Sequence, residues 1–131
     1  ANPKQIHKTN KQKIKMASED FKSEVMEKES STTVLSAAAP GDFAGKEGKH
    51  VPVIAVADGK VSITVPHGMA DDHFIEFIWA KNQDGEVIHA AKLTPSDQPE
   101  TSFDTPEGTA SVTAFESCNL HGVWSSEATP L

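Results

Sequence analysis

Cysteine is nearly missing from this chain: one residue of 131, Cys118, carries a thiol. A single thiol excludes an internal disulfide, and it excludes any four-thiolate zinc or iron centre built within one chain. Long apolar runs are missing as well. None approaches the ~20 residues that a membrane-spanning helix needs, so no membrane insertion is expected. Basic charge is scarce, with 12 Lys and Arg against 19 Asp and Glu for a formal net charge of −7. A nucleic-acid-binding body presents a basic face, so no nucleic-acid partner is expected either. No secretory signal is present, yet the first residue is Ala1 and not methionine. The chain therefore reads as a mature form after signal cleavage or as one that lost its initiator.

What is present suits one ordinary domain. The 37% hydrophobic and 24% charged content falls in the soluble globular range. Residues 1–15 carry Lys4, Lys8, Lys11, Lys13 and Lys15 and no acid, the pattern of a solvated arm. Ser18-Glu19-Asp20 offers a helix cap with acids in the first turn, and Phe21, Val25 and Met26 share a face behind it. The spacing predicts a short helix over 18–29, with Glu24 and Lys28 paired four apart, docked on its own domain or on a neighbouring subunit. Ser30-Ser31-Thr32-Thr33 and Ala37-Ala38-Ala39-Pro40-Gly41 read as a linker. Residues 1–40 are thus an amino-terminal extension, and residues 41–131 are the domain.

From residue 51 the apolar period changes to two. Strands are predicted over 51–57, 61–65, 74–80, 86–93, 101–105, 109–116 and 123–126. Asp58-Gly59 between the first two is a two-residue hairpin signal. Seven short strands with turns between them predict an all-β fold, an immunoglobulin-like antiparallel seven-stranded β-sandwich with a short amino-terminal helical extension.

The chemistry gathers at the strand ends. Cys118 and His121 stand three apart in Cys118-Asn119-Leu120-His121, so one tight loop can turn thiolate and imidazole toward the same ion. Two ligands do not make a site. Three more histidines, however, fall between predicted strands: His50 before the first, His67 after the second and His73 before the third. The short loop between His67 and His73 can fold both rings together. A sandwich gathers distant loops at one end, and such loops commonly carry function. Thiolate beside imidazole suits zinc, copper or iron and not magnesium or calcium. His89, inside a strand pattern, and His7, in the arm, are left out of the site.

Three blocks carry a resemblance: Lys49-His50-Val51-Pro52-Val53-Ile54, His67-x-Met69-x-x-x-His73-x-Ile75, and Cys118-Asn119-x-His121-Gly122-x-Trp124. In this order they resemble the superoxide reductases of the neelaredoxin and desulfoferrodoxin family, over about residues 45–126. The resemblance implies an immunoglobulin-like sandwich with one Fe(II)/Fe(III) ion. His50, His67, His73 and His121 would be its equatorial nitrogens and Cys118 its axial sulfur. It implies one-electron reduction of superoxide to hydrogen peroxide without release of dioxygen. A thiolate ligand would push electron density into the metal, and backbone N–H groups after Cys118 would tune the sulfur. Lys49, with Lys46 behind it, would draw in the anion despite the net charge of −7.

The family usually reads Glu-Lys-His, its glutamate closing the ferric ion. Here the run is Glu47-Gly48-Lys49-His50, with Gly48 supplying slack by which Glu47 would reach the metal. Gly68 stands where the family has proline, and Phe77 where it has tryptophan. Without a cysteine-rich iron domain the chain resembles the one-iron class. That class implies a protein electron donor such as rubredoxin and a homo-oligomer, a tetramer or a dimer. Family habit favours the cytoplasm, and the periplasm stays open if a signal was cleaved. The alternative is a cupredoxin-like copper electron-transfer protein without catalytic activity. It would use one cysteine, two histidines and often a methionine after the last, and no methionine follows His121. A plain immunoglobulin-like interaction domain would leave the histidines unexplained. Metal identity separates the three.

Overall fold

A computed structural model describes residues 21–131. The lysine-rich arm and the first residues of the predicted helix lie outside that range. The strands are β1 (Val53–Ala57), β2 (Lys60–Thr64), β3 (Ile75–Lys81), β4 (Val87–Lys92), β5 (Glu100–Asp104), β6 (Ser111–Cys118), β7 (Gly122–Ser125) and β8 (Thr129–Pro130). The pairings among these strands are antiparallel. One sheet runs β1-β2-β5; the other runs β4-β3-β6-β7, with β8 paired to the start of β6. The seven expected strands are present within a residue or two of their predicted ends. The addition, β8, is two residues long and contains Pro130, and so short an edge segment has no periodicity to read.

Turn chemistry sets the registers. Asp58 and Gly59 both take positive φ, 54° and 76°, the requirement of the tight hairpin that pairs Ala57 with Lys60. At the next hairpin Asn82 Oδ1 accepts from the N–H groups of Asp84 and Glu86, at 2.9 and 3.0 Å, and closes the turn before β4.

The two sheets close over Val61, Ile63, Val65, Ile75, Ile78, Ala80, Phe103, Val112, Ala114 and Cys118. The outer face of the larger sheet carries a second cluster, Phe77, Trp79, Ala90, Phe115 and Val123, with Trp79 stacked on Phe115 at 5.5 Å. That face is covered by a helix over 21–30, here α1, whose Val25 is fully buried in the cluster. Covering both faces explains why β3 is apolar almost without alternation.

Of the two docking places open to the helix, its own domain is the one observed. Ion pairs Lys28–Glu76 (3.2 Å) and Lys92–Glu24 (3.6 Å) flank it, and Lys81 pairs closely with Glu29. Met26, expected beside Phe21 and Val25, is instead 51% exposed.

Residues 31–46 do not hang free. Leu35 lies along β7, donating to Val123 O and accepting from Ser125 N, both at 2.8 Å. A Cβ on Gly41 would stand 3.1 Å from Leu35 Cδ2, so glycine permits this close approach. The segment then enters a 3-10 turn, Gly41–Phe43, and a one-turn helix α2, Glu47–His50.

Candidate metal centre

Four separate elements deliver the five predicted ligands to one end of the sandwich. His50 ends α2, Cys118 ends β6, His121 sits in the loop to β7, and His67 and His73 bracket the loop between β2 and β3. That loop is pinched by a reciprocal pair of backbone bonds between Ala70 and His73, at 3.0 and 3.1 Å. It is also tied to the cysteine loop. Asn119 Oδ1 accepts from Phe74 N at 2.9 Å, and Asn119 Nδ2 donates to Asp72 O at 3.1 Å. Asn119 therefore clamps the loop of His73 to that of Cys118, a role not visible from its place in the motif. Gly122, at φ 85°, lets the chain turn back so that Cys118 and Gly122 pair at the mouth of the hairpin.

One donor atom from each of His50, His67, His73, Cys118 and His121 lies within 4.8 Å of all the others. His67 Nε2 is 3.1 Å from His73 Nε2, which is 3.2 Å from His121 Nδ1. The Cys118 sulfur is 3.9 Å from His67 Nε2 and 3.8 Å from His121 Nδ1. The backbone fixes which nitrogens are free to donate lone pairs. Lys46 O lies 2.9 Å from His50 Nδ1, and Gly68 O lies 2.5 Å from His67 Nδ1. A carbonyl can only accept, so each Nδ1 carries hydrogen and each Nε2 turns a lone pair inward. The Nε2 of His50 is buried and has no hydrogen-bond partner.

Ring nitrogens of three histidines stand 3.1–3.2 Å apart in succession, and the orphaned buried nitrogen of His50 is a costly arrangement without a cation. The donor set of four imidazoles and one sulfur fits a single transition-metal ion. Electrostatics keep the donors ready. Burial, and then mutual repulsion among the rings, lowers the pKa of His50, His67 and His121, so these rings stay neutral. Burial pushes the Cys118 thiol up, against the Leu120 and His121 backbone N–H groups that point at the sulfur. A bound cation would reverse that balance and hold the thiolate.

Neighbouring rings hold the candidate ligands in place. Trp124, fully buried, stacks on His50 at 5.3 Å and donates from Nε1 to His121 O at 2.8 Å. Phe43 meets His121 edge-on at 5.2 Å. Neither contact was foreseen from sequence, although Trp124 stood inside the third motif. Lys49 and Lys46 are exposed beside the cluster and act on His67 and His121 respectively. Glu47 is not among the clustered donors. Its Oε1 accepts from Gly45 N at 2.7 Å. His89 lies apart, within β4, and Glu116 is fully buried two residues before Cys118. Burial, and then Glu76, pushes the Glu116 carboxyl well up.

The profile of the desulfoferrodoxin family matches residues 42–127. The chain belongs to the desulfoferrodoxin family. A desulfoferrodoxin homologue of Archaeoglobus fulgidus is 39% identical over 85 residues, 63% of this chain and 64% of that one. The desulfoferrodoxin of Nitratidesulfovibrio vulgaris is 41% identical over 91 residues, 67% of this chain and 69% of that one. The chain thus spans about two thirds of the length of these desulfoferrodoxins. Among solved structures, the superoxide reductase of Treponema pallidum superposes with a TM-score of 0.54 at 32% identity, covering 64% of this chain and 69% of that one. The neelaredoxin of Ignicoccus hospitalis, at 20% identity, shares the fold with a TM-score of 0.60 over 75% of this chain and 93% of that one. The ligand cluster falls wholly inside the matched desulfoferrodoxin segment. Helix α1 and the Leu35 strand contact precede it. Among the described residues no helix is long and apolar enough to cross a membrane.

Proposed function

We propose that this chain is a superoxide reductase, which takes superoxide, one electron and two protons to hydrogen peroxide at a mononuclear iron held by His50, His67, His73, His121 and Cys118. The observation that carries this reading is the convergence of five donor atoms within 4.8 Å, one of them the partnerless buried Nε2 of His50. Membership of the desulfoferrodoxin family and the likeness to the Treponema pallidum superoxide reductase support it. Iron bound there would supply the electron, cycling between Fe(II) and Fe(III), and would be refilled by a donor protein such as rubredoxin.

The chain's own groups do the rest. Neutral imidazoles add no negative charge, so the site stays attractive to an anion, while the sulfur of Cys118 supplies the electron-rich ligand. Lys49 and Lys46, exposed beside His67 and His121, offset locally a chain whose net charge is −7. Glu47, whose Oε1 accepts from Gly45 N at 2.7 Å, is the carboxylate that would cap the oxidised site. A cupredoxin-like copper carrier would leave two of the four clustered histidines without an ion to bind.

Metal content of anaerobically purified protein, with a visible spectrum after oxidation by ferricyanide, tests the reading. About one iron per chain and a thiolate-to-ferric charge-transfer band are expected. Cys118→Ser should lose the band and superoxide reduction while keeping its far-ultraviolet circular dichroism. Unchanged superoxide reduction in Cys118→Ser would overturn the mechanism, and stoichiometric copper with an intense blue band would overturn the assignment.

A further inference from the structure

The outer face of the larger sheet places an ion pair beside Ser117, the residue before Cys118. Ile75 is the register partner of Cys118, and Glu76 follows it on β3. Glu76 Oε2 accepts from Ser117 Oγ at 3.1 Å, and Ser117 precedes Cys118 in the chain. The same oxygen lies 3.2 Å from Lys28 Nζ on α1. Lys28 is held there a second way, 5.6 Å from the centroid of the Phe77 ring. Behind the larger effect of burial, Glu116 and then Glu76 act on the Cys118 sulfur in the direction that raises its pKa. Lys28 lies outside the residues matched by the family, 42–127.

We propose that the Lys28–Glu76 ion pair is a positioning and tuning element that sets the reduction potential of the metal centre through Cys118. This inference rests on the reading of the cluster as a mononuclear iron site. A negative charge close to the thiolate stabilises the more highly charged ferric state, and a positive charge facing it opposes that stabilisation. The side chains of Lys28 and Glu76 are 38% and 24% exposed, so salt screens the effect in part. Helix α1 thus does more than cover Phe77 and Trp79; it supplies the cation that balances Glu76.

The two halves of the pair make opposite predictions. Lys28→Gln leaves Glu76 unbalanced and should favour the ferric state by about threefold at a fixed applied potential. Glu76→Gln should favour the ferrous state by about threefold. Each corresponds to about 30 mV, taking 59 mV per tenfold for a one-electron couple. The double variant and Lys28→Arg should both lie close to the wild type. Mere loosening of α1 would move both single variants in the same direction, so the opposed signs separate electrostatics from packing. The measurement is a redox titration of the iron-loaded chain, followed by the charge-transfer band. Opposed shifts that cancel in the double variant carry the inference. Bound iron with unchanged potentials, or shifts of one sign, overturns it alone. Failure to bind iron at all overturns it together with the reading on which it rests.

Discussion

His89 predicts how stability depends on acid. It lies on β4 with 8% of its surface exposed, and its ring reaches across the sandwich to the opposite sheet. Nε2 lies 2.8 Å from Thr101 Oγ1, and the ring stacks on Phe103 at 4.6 Å, both partners on β5. Burial lowers its pKa from 6.5 to about 4. The folded chain therefore refuses a proton that the unfolded chain accepts. Above pH 6.5 both states are neutral and His89 costs nothing. Between pH 6.5 and 4 only the unfolded state takes up the proton, so stability falls as pH falls, by up to about 1.4 kcal/mol per pH unit. Below pH 4 the loss levels off. Across that window of about 2.5 pH units the loss comes to about 3 kcal/mol, a large part of a domain's usual stability of about 5–15 kcal/mol. Urea unfolding of metal-free protein between pH 7 and 4 measures it. His50, His67 and His121 contribute in the same direction, so the informative quantity is the difference from His89→Gln. That variant keeps a hydrogen-bonding group beside Thr101 and removes the titration. Wild type should lose about 3 kcal/mol more than the variant over the window. Parallel curves for the two proteins would refute the argument.

Trp124→Phe removes the N–H that holds His121 O at 2.8 Å and disturbs the stack on His50. Loss of such outer support typically costs about 10- to 100-fold in metal affinity. A competition titration with Co(II) and a chelator should find a drop of about tenfold, and equal affinity would exclude Trp124 from holding the ligands. Lys49→Ile removes one exposed charge beside His67. At about 8 Å in water a unit charge is worth roughly 0.5 kcal/mol, so superoxide should react about two- to threefold more slowly at low salt. The difference should shrink toward 0.15 M salt, where the Debye length falls to about 8 Å. Equal rates at low salt would remove Lys49 from the encounter.

Much of the fold was legible because its signals are local. Asp58-Gly59 can adopt the positive φ pair at little cost, alternation in Val61, Ile63 and Val65 marks a half-buried strand, and Pro66 ends it. The five candidate ligands were legible for a different reason. Cysteine and histidine are few, and here they sit at the ends of readable strands. Sequence alone gave no account of Asn119, whose clamp spans 45 residues to Phe74. It gave none of Phe43 against His121.

The helix marks the same boundary. Its period was evident over Phe21 and Val25, but a narrow stripe fits many surfaces, and both its own sheet and a second subunit stayed open. Tertiary structure selected the sheet because Phe77, Trp79 and Phe115 leave an outer face that Val25 can fill. It also paired Lys28 with Glu76, when the local i, i+4 rule had paired Lys28 with Glu24. The sequence by itself determined the strands, the turns and the kinds of donor available, because φ preference, side-chain period and ligand chemistry belong to each residue. Only the tertiary structure decided which donors meet, which nitrogens face inward and which charges stand near the sulfur, because those depend on distances between segments far apart along the chain.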